Sequence, residues 1–247
     1  TGAFFKTGKS HRRFDQKLRT CRSSINHSLQ SMSKPEKSWD LLKEWFPKLP
    51  EENWEKLMQY TDLLKEWNAK INLVSRKDMD RLETKHLAHC LTITHFLRLM
   101  PKTRILDVGT GGGLPGIPLA ICYPQAQFTL MDSIGKKIMV VDDMVKRLDL
   151  KNVEIKRGRV EELPKKRTYD FIIGRAVTAL PTFFEWVNNK IRKGARNSPA
   201  NGILYLKGGD YTEELESSGL HPAKIWNLDE LLPQAELGEK YLIHFKI

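Results

Sequence analysis

The sequence predicts an α/β fold, a doubly wound and mostly parallel sheet with an N-terminal helical extension. Three observations predict it. From residue 103 onward, short apolar runs alternate with helical patterns, as in chains built from β-α-β units. The run "ILDVGTGGGLPGIPLA", residues 105–120, joins a strand to a helix through a glycine-rich turn. Before any strand pattern begins, Trp54, Leu57, Met58, Thr61 and Leu64 recur at helical spacing behind the acidic pair Glu51–Glu52, which marks a helix start.

The elements follow in chain order. Residues 1–36 read as a basic, flexible tail, rich in Arg, Lys and Ser. Their composition resembles an organelle transit peptide or a disordered basic arm, and a chain starting with Thr also fits a truncation or remnant. With no apolar periodicity, the tail is expected to add nothing to a core. Its deletion should leave the thermal midpoint nearly unchanged, which scanning fluorimetry checks. Residues 37–100 form a helical region, with a second helix expected over 80–100 and the polar link "WNAKINLVSRKD" before it. Residues 101–247 form the sheet domain. Strands are expected at 104–108, 127–132, 153–157, 169–174, 202–207, 223–228 and 240–246. Helices are expected at 115–122, 134–149 and 180–192, with a short turn near 161. Only "DELLPQAELGEK" separates the last two strands, a length that suits a terminal antiparallel pair.

Composition narrows the function classes. No stretch of the 247 residues approaches a membrane span. The three cysteines, Cys21, Cys90 and Cys122, are far apart and form no C-x-x-C pair, so neither a disulfide framework nor a zinc site is indicated. The histidines show no ligand spacing, and no metal is expected. Residues 1–38 hold nine Lys or Arg against two acids, more than half of the net charge of +11. Local basic clusters recur at Lys156, Arg157 and Arg159, at Lys165, Lys166 and Arg167, and at Arg192, Lys193 and Arg196. They favour an anionic partner such as nucleic acid.

The glycine turn fits two ligand classes. Gly109, Gly111 and Gly113 give G-x-G-x-G, and Gly111, Gly113 and Gly116 give the G-x-G-x-x-G of dinucleotide sites. Either ligand needs an acid about 20 residues on for ribose hydroxyls, and Asp132 supplies it. In both readings the turn lets the ligand approach bare backbone and aims free N–H groups of a helix N-terminus at it. Asp107, two residues before the first glycine, can hold a cationic amino group, which S-adenosyl-L-methionine has and a nicotinamide dinucleotide lacks. Pro115 narrows the space for a pyrophosphate. "RGRVEEL" after the third strand sits where methyltransferase folds meet adenine.

"DVGTGGGLPGIPLA", with "FTLMDSIGKK", "GRVEEL", "GRAVTAL" and "LYLKGG", closely resembles the RsmG family, also called glucose-inhibited division protein B. The resemblance runs from about residue 50 to 247 and includes "LLKEWNAKINLVS". It implies a Rossmann-like methyltransferase sheet and transfer of a methyl group from S-adenosyl-L-methionine to N7 of a guanine in small-subunit ribosomal RNA, as free RNA or as a subunit particle. It also implies cofactor contacts at Gly109, Leu114, Asp132, Ser133, Val160, Glu161 and Arg175, beside Asp107, Gly111 and Gly113 from the motif. The chain departs from the family where Gly112 replaces a common Pro, Gly174 a common Ser, and His89–Cys90 the usual Asp-Ser.

Methyl transfer from a sulfonium is an in-line displacement whose rate comes mostly from positioning. Guanine N7 carries an in-plane lone pair, so no general base is needed. Cys122 lies on the apolar helix and is expected in the core rather than as the nucleophile of a C5-cytosine enzyme. The Asn/Asp-Pro-Pro-aromatic run of amino-nitrogen enzymes is absent after strand four, where "GRAVTAL" stands. A donor on N7 would block the lone pair, so Arg175, although arginine commonly reads guanine edges, is assigned as the catalytic residue that orients cofactor and pocket. Arg159 and Lys207, at carboxyl ends of strands, are assigned to substrate RNA. The expected partner is small-subunit RNA or its particle, with no membrane and a monomeric enzyme. The expected compartment is the cytoplasm of a bacterium, or a chloroplast or other organelle for a transit-type tail. Three alternatives stay open: a methyltransferase of another substrate, a nicotinamide oxidoreductase, and a non-catalytic RNA-binding or assembly factor.

Overall fold

The structure is a computed structural model that describes residues 34–247. The expected tail lies outside the described residues except at its end, where α1 (Lys34–Trp45) begins. Helix α2 (Glu51–Asn68) follows, its acidic first turn suited to the helix dipole. From Leu42 onward the chain forms one compact unit.

The sheet has seven strands: β1 (Arg104–Val108), β2 (Gln127–Asp132), β3 (Val153–Arg157), β4 (Phe171–Arg175), β5 (Gly202–Gly208), β6 (Lys224–Asn227) and β7 (Lys240–Lys246). Their spatial order is β3-β2-β1-β4-β5-β7-β6. Strands β1 to β5 pair in parallel, and β7 runs antiparallel to both β5 and β6. The expected terminal antiparallel pair therefore forms, with β7 inserted beside β5. The order reverses between β1 and β4, the switch point where open sheets bind ligands. Val108 lies opposite Gly174 there, so the glycine turn and Arg175 leave the sheet side by side. Helices α5 (Gly116–Cys122), α6 (Gly135–Arg147) and α7 (Leu180–Val187) connect the parallel strands.

Several expected elements differ. The helix expected over 80–100 is a broken run: a 3-10 turn at Arg76–Arg81, a π turn at Leu82–Leu87, then α3 (Ala88–Leu91) and α4 (Ile93–Phe96). Thr92 and Thr94 donate their hydroxyls to the carbonyls of His89 and Leu91, local bonds that disturb a helix ladder. Arg98 then pairs with Ser198 in extended form. The helix expected over 180–192 stops at Val187, a 3-10 turn follows, and Ile191 bridges Tyr169. Strand β4 accordingly starts at Phe171 rather than at residue 169. A helix that the pattern did not suggest, α8 (Thr212–Ser218), lies between β5 and β6.

The amino ends of the strands are tied by Asp170. Its carboxylate accepts from the Arg104 backbone at 2.8 Å, Arg192 at 2.7 Å and Asn201 at 3.0 Å. Asp170→Ala leaves these three donors without their acceptor, a loss of about 3 kcal/mol. A fall of roughly 6–12 °C in the thermal midpoint is expected for a domain of this size. Among the described residues, no helix is long and apolar enough to cross a membrane, and no three potential metal ligands stand together.

Candidate active site

The first strand delivers Asp107 to the switch point. Its side chain is fully buried. Oδ2 accepts from the Gly116 backbone at 3.0 Å, while Oδ1 has no partner. Burial pushes the carboxyl up to about 7, with bonding and the nearby Arg175 charge pulling the other way. Thr110 Oγ1, three residues on, is buried beside this carboxyl and helps to lower it, although the two stand outside strict hydrogen-bond geometry. Orphaned buried polar atoms are costly and uncommon, and a buried carboxylate oxygen left without a hydrogen bond marks a place for a ligand.

The turn is not the cradle of free N–H groups that the glycines suggested. The amides of Gly109 and Thr110 donate to Met131 O, those of Gly113 and Leu114 to Thr110 O, and that of Ile117 to Gly113 O. Gly111 N donates to Asp132 Oδ2 at 3.0 Å. The chain folds back on itself and uses these donors internally, which leaves a poor seat for a pyrophosphate. Helix α5 starts at Gly116 rather than at Pro115. Gly111 adopts φ +58, and among the described residues beyond its chain neighbours a Cβ there would have only Gly109 O within 4 Å, at 3.9 Å. Gly113 faces inward, where a Cβ would stand 2.5 Å from Ile117 Cδ1. That glycine serves packing.

Asp132 ends β2. It accepts from Gly111 and, through Oδ1, from Ile134 N at 2.9 Å. Each oxygen keeps acceptor capacity for a hydroxyl. Ser133 beside it is exposed. The turn after β3 brings Val160, buried, and Glu161, exposed. Leu114 is buried under the glycine turn. Helix α2 covers the turn from outside, with the Tyr60 hydroxyl donating to Gly112 O at 2.8 Å. A Cβ at Gly112 would meet Leu64 Cδ1 at 2.9 Å.

Arg175 ends β4. Its Nη1 meets His86 Nδ1 at 3.1 Å. The guanidinium only donates, so Nδ1 accepts and the imidazole proton sits on Nε2. That atom faces Asp78 Oδ2 at 3.4 Å, a long contact for its N–H. Burial, with Arg175 next in effect, lowers His86 to about 4, so it is neutral at pH 7. The Tyr205 hydroxyl accepts from Val177 N and Thr178 N and donates to Thr178 O at 2.6 Å, which fixes the chain after Arg175.

The residues assigned to RNA are placed differently. Arg159 is exposed after β3, its backbone N–H bonded to Glu162 at 3.3 Å. Lys207 lies at the end of β5, but its ammonium is paired with Glu214 of α8. Glu214 also accepts from Leu180 N at 2.8 Å. Burial pushes the Cys122 thiol to about 12 although the residue is partly exposed, which removes it as a nucleophile. Sequence reasoning missed Tyr60, Asp78, His86 and Glu214. Each reaches the site across the fold from a separate helix or turn, and no motif spacing links it to the glycines.

An order of β3-β2-β1-β4-β5-β7-β6, a glycine turn after β1 and carboxylates ending β1 and β2 define a Rossmann-like methyltransferase fold built for S-adenosyl-L-methionine. The residues fit that cofactor, with an unpartnered buried carboxylate oxygen for its cationic amino group and open space over Gly111. The family profile described as GidB, rRNA small subunit methyltransferase G, matches residues 53–225. The Ribosomal RNA small subunit methyltransferase G of Christiangramia forsetii is 47% identical over 205 residues, covering 83% of this chain and 95% of that protein. Its namesake from Flavobacterium johnsoniae is 43% identical over 208 residues, covering 84% and 98%. The chain belongs to the GidB family of rRNA small subunit methyltransferase G. Among solved structures, the (4+2)-cyclase SpnF shares the fold at TM-score 0.51 and 13% identity, over 81% of this chain and 97% of its own. Fold alone thus does not name the reaction.

Proposed function

We propose that this protein transfers a methyl group from S-adenosyl-L-methionine to N7 of a guanine in small-subunit ribosomal RNA. The observation that carries the chemistry is Asp107, a fully buried carboxylate with an unpartnered oxygen at the switch point. Family membership supports the RNA. When bound, the cofactor supplies an electrophilic methyl group that an unprotonated ring nitrogen accepts without a base.

The chain's own residues then have to bind and orient. Asp107 holds the cofactor's amino group and Asp132 its ribose hydroxyls. Gly109, Gly111 and Gly113 shape the turn that admits it. Leu114, Ser133, Val160 and Glu161 complete the cofactor side. Arg175, steadied by His86 and Asp78, keeps cofactor and target base in register. Arg159 meets the RNA backbone from the exposed turn after β3. Lys207, held by Glu214, shapes the wall of the RNA side. The protein acts as a monomer wherever small subunits are made: in a bacterial cytoplasm, or in an organelle for a chain that enters one.

The test is incubation with methyl-labelled S-adenosyl-L-methionine and either small-subunit particles or naked RNA, followed by base analysis. Label in N7-methylguanine of the small-subunit RNA is expected. Label at another atom, or none in either substrate, overturns the reading. Arg175→Ala is expected to raise the apparent constant for the cofactor and to lower turnover together. A variant with wild-type values for both removes Arg175 from the site.

A further inference from the structure

Beside Arg175 lies a cleft of about 330 Å³ between the Lys85–His89 segment, the end of β4 and the edge formed by β5 and β7. Its wall carries four cations, Lys85, Arg175, Lys207 and Lys240, and no carboxylate. Two of the four are neutralised from behind, Lys85 by Asp78 at 2.5 Å and Lys207 by Glu214. Among the described residues, Arg175 and Lys240 have no carboxylate partner, and Lys240 Nζ has only a long contact of 3.4 Å to Glu239 O. His89 also lines the cleft. It is only 5% exposed, and its Nε2 has no partner.

We propose that this cleft is a phosphodiester subsite, which seats the RNA backbone next to the nucleotide being methylated, with Arg175 and Lys240 as its cations and His89 as its buried hydrogen-bonding group. The inference rests on the reading of the protein as an RNA methyltransferase. Two unpaired cations facing one cleft create a field that only an anion relieves. The orphaned ring nitrogen of His89 offers a direct bond to a phosphate oxygen, once its proton sits there. Burial, then the charges of Arg175 and Lys240, hold that imidazole neutral in the free protein. The target base itself fits this cleft poorly, because methylation at N7 places a positive charge on the purine. The cationic wall would oppose that charge as it develops, whereas a phosphodiester keeps its negative charge throughout. Tyr205 holds the chain at Val177 and Thr178, and Asp78 holds Lys85 and faces His86. The cleft is thereby built by three separate elements before any substrate arrives.

The test uses the full chain and a small-subunit RNA fragment that contains the target guanine, with binding measured against salt. Lys240→Ala is expected to weaken binding and to lower the slope of log affinity against log salt by about one charge. Lys240→Arg should retain the slope. His89→Ala should weaken binding without changing the slope. Cofactor affinity by calorimetry should stay within about twofold in all three, which excludes general unfolding. A walk of single neutral methylphosphonate linkages along the fragment should find one position where the wild type loses affinity and Lys240→Ala does not. An unchanged slope in Lys240→Ala, or no such position, overturns the proposal. Loss of inorganic phosphate binding in Lys240→Ala with an unchanged RNA slope also overturns it, as the mark of a free-ion site. These readouts need no turnover. A wild type that binds RNA but transfers no methyl group defeats the function reading instead.

Discussion

Gly111→Val is expected to abolish binding of S-adenosyl-L-methionine while the fold survives. The wild-type residue sits at φ +58, and its N–H is bonded to Asp132 Oδ2 at 3.0 Å. A β-branched side chain in that region is a genuine outlier. One strained residue costs about 1–2 kcal/mol, which lowers the thermal midpoint by roughly 2–8 °C in a domain of this size. The effect on the ligand is larger. Among the described residues beyond its chain neighbours, only Gly109 O, at 3.9 Å, comes within 4 Å of a Cβ at this position, so the valine methyls project into the space the turn keeps open. The strain also loosens the link to Asp132, which removes the second cofactor anchor. Calorimetry should show affinity lower by about 100-fold or more, equivalent to about 3 kcal/mol. Near wild-type affinity would remove Gly111 from the site. Collapse of the midpoint by tens of degrees would make it a folding residue instead.

Asp107→Asn is expected to stabilise the free protein at pH 8 and to lose the cofactor. The buried carboxyl is raised to about 7 from 3.8, chiefly by burial. The folded value lies above the unfolded one. Between these values the folded chain therefore keeps a proton that the unfolded chain has released. The stability contributed by this group is full below about pH 4, falls as pH rises through 7, and is flat above that. The cost of the ionised form is on the order of 4 kcal/mol. Asparagine keeps an oxygen for the Gly116 N–H and removes the charge. Its midpoint should exceed that of the wild type at pH 8, and the gap should shrink toward pH 4. The amide cannot neutralise a cationic amino group, so affinity for S-adenosyl-L-methionine should fall by about 100-fold. Cofactor binding by the wild type near pH 6 should release a proton, visible as a buffer-dependent heat. A variant less stable than the wild type at pH 8 would mean that Asp107 serves the fold alone.

The local cues of the chain determined much of this. Ile105, Leu106 and Val108 around Asp107, and the run Phe171–Ile173, bounded by turn residues, read as strands buried on both faces, as in parallel sheets. The glycines between an apolar strand and an apolar helix, with Asp107 before them and Asp132 after, place the cofactor end of the sheet by spacing alone. The helix α8 was also written in the sequence, with Asp210 before it, Glu213 and Glu214 in its first turn and Gly219 after it. Seven residues carry too little apolar periodicity to make that visible.

What only the tertiary structure decided concerns partners far apart in the chain. The turn's amides are used internally, a fact set by the return of the chain onto Met131 and Asp132 rather than by the glycines themselves. Lys207 reads as a free cation at a strand end until Glu214 arrives on α8. His86 is 89 residues from Arg175 and gains its role only where the broken helix passes the end of β4. Side-chain periodicity reports which face of an element is buried. Which charge meets which across the sheet depends on packing between elements, and no local pattern encodes it.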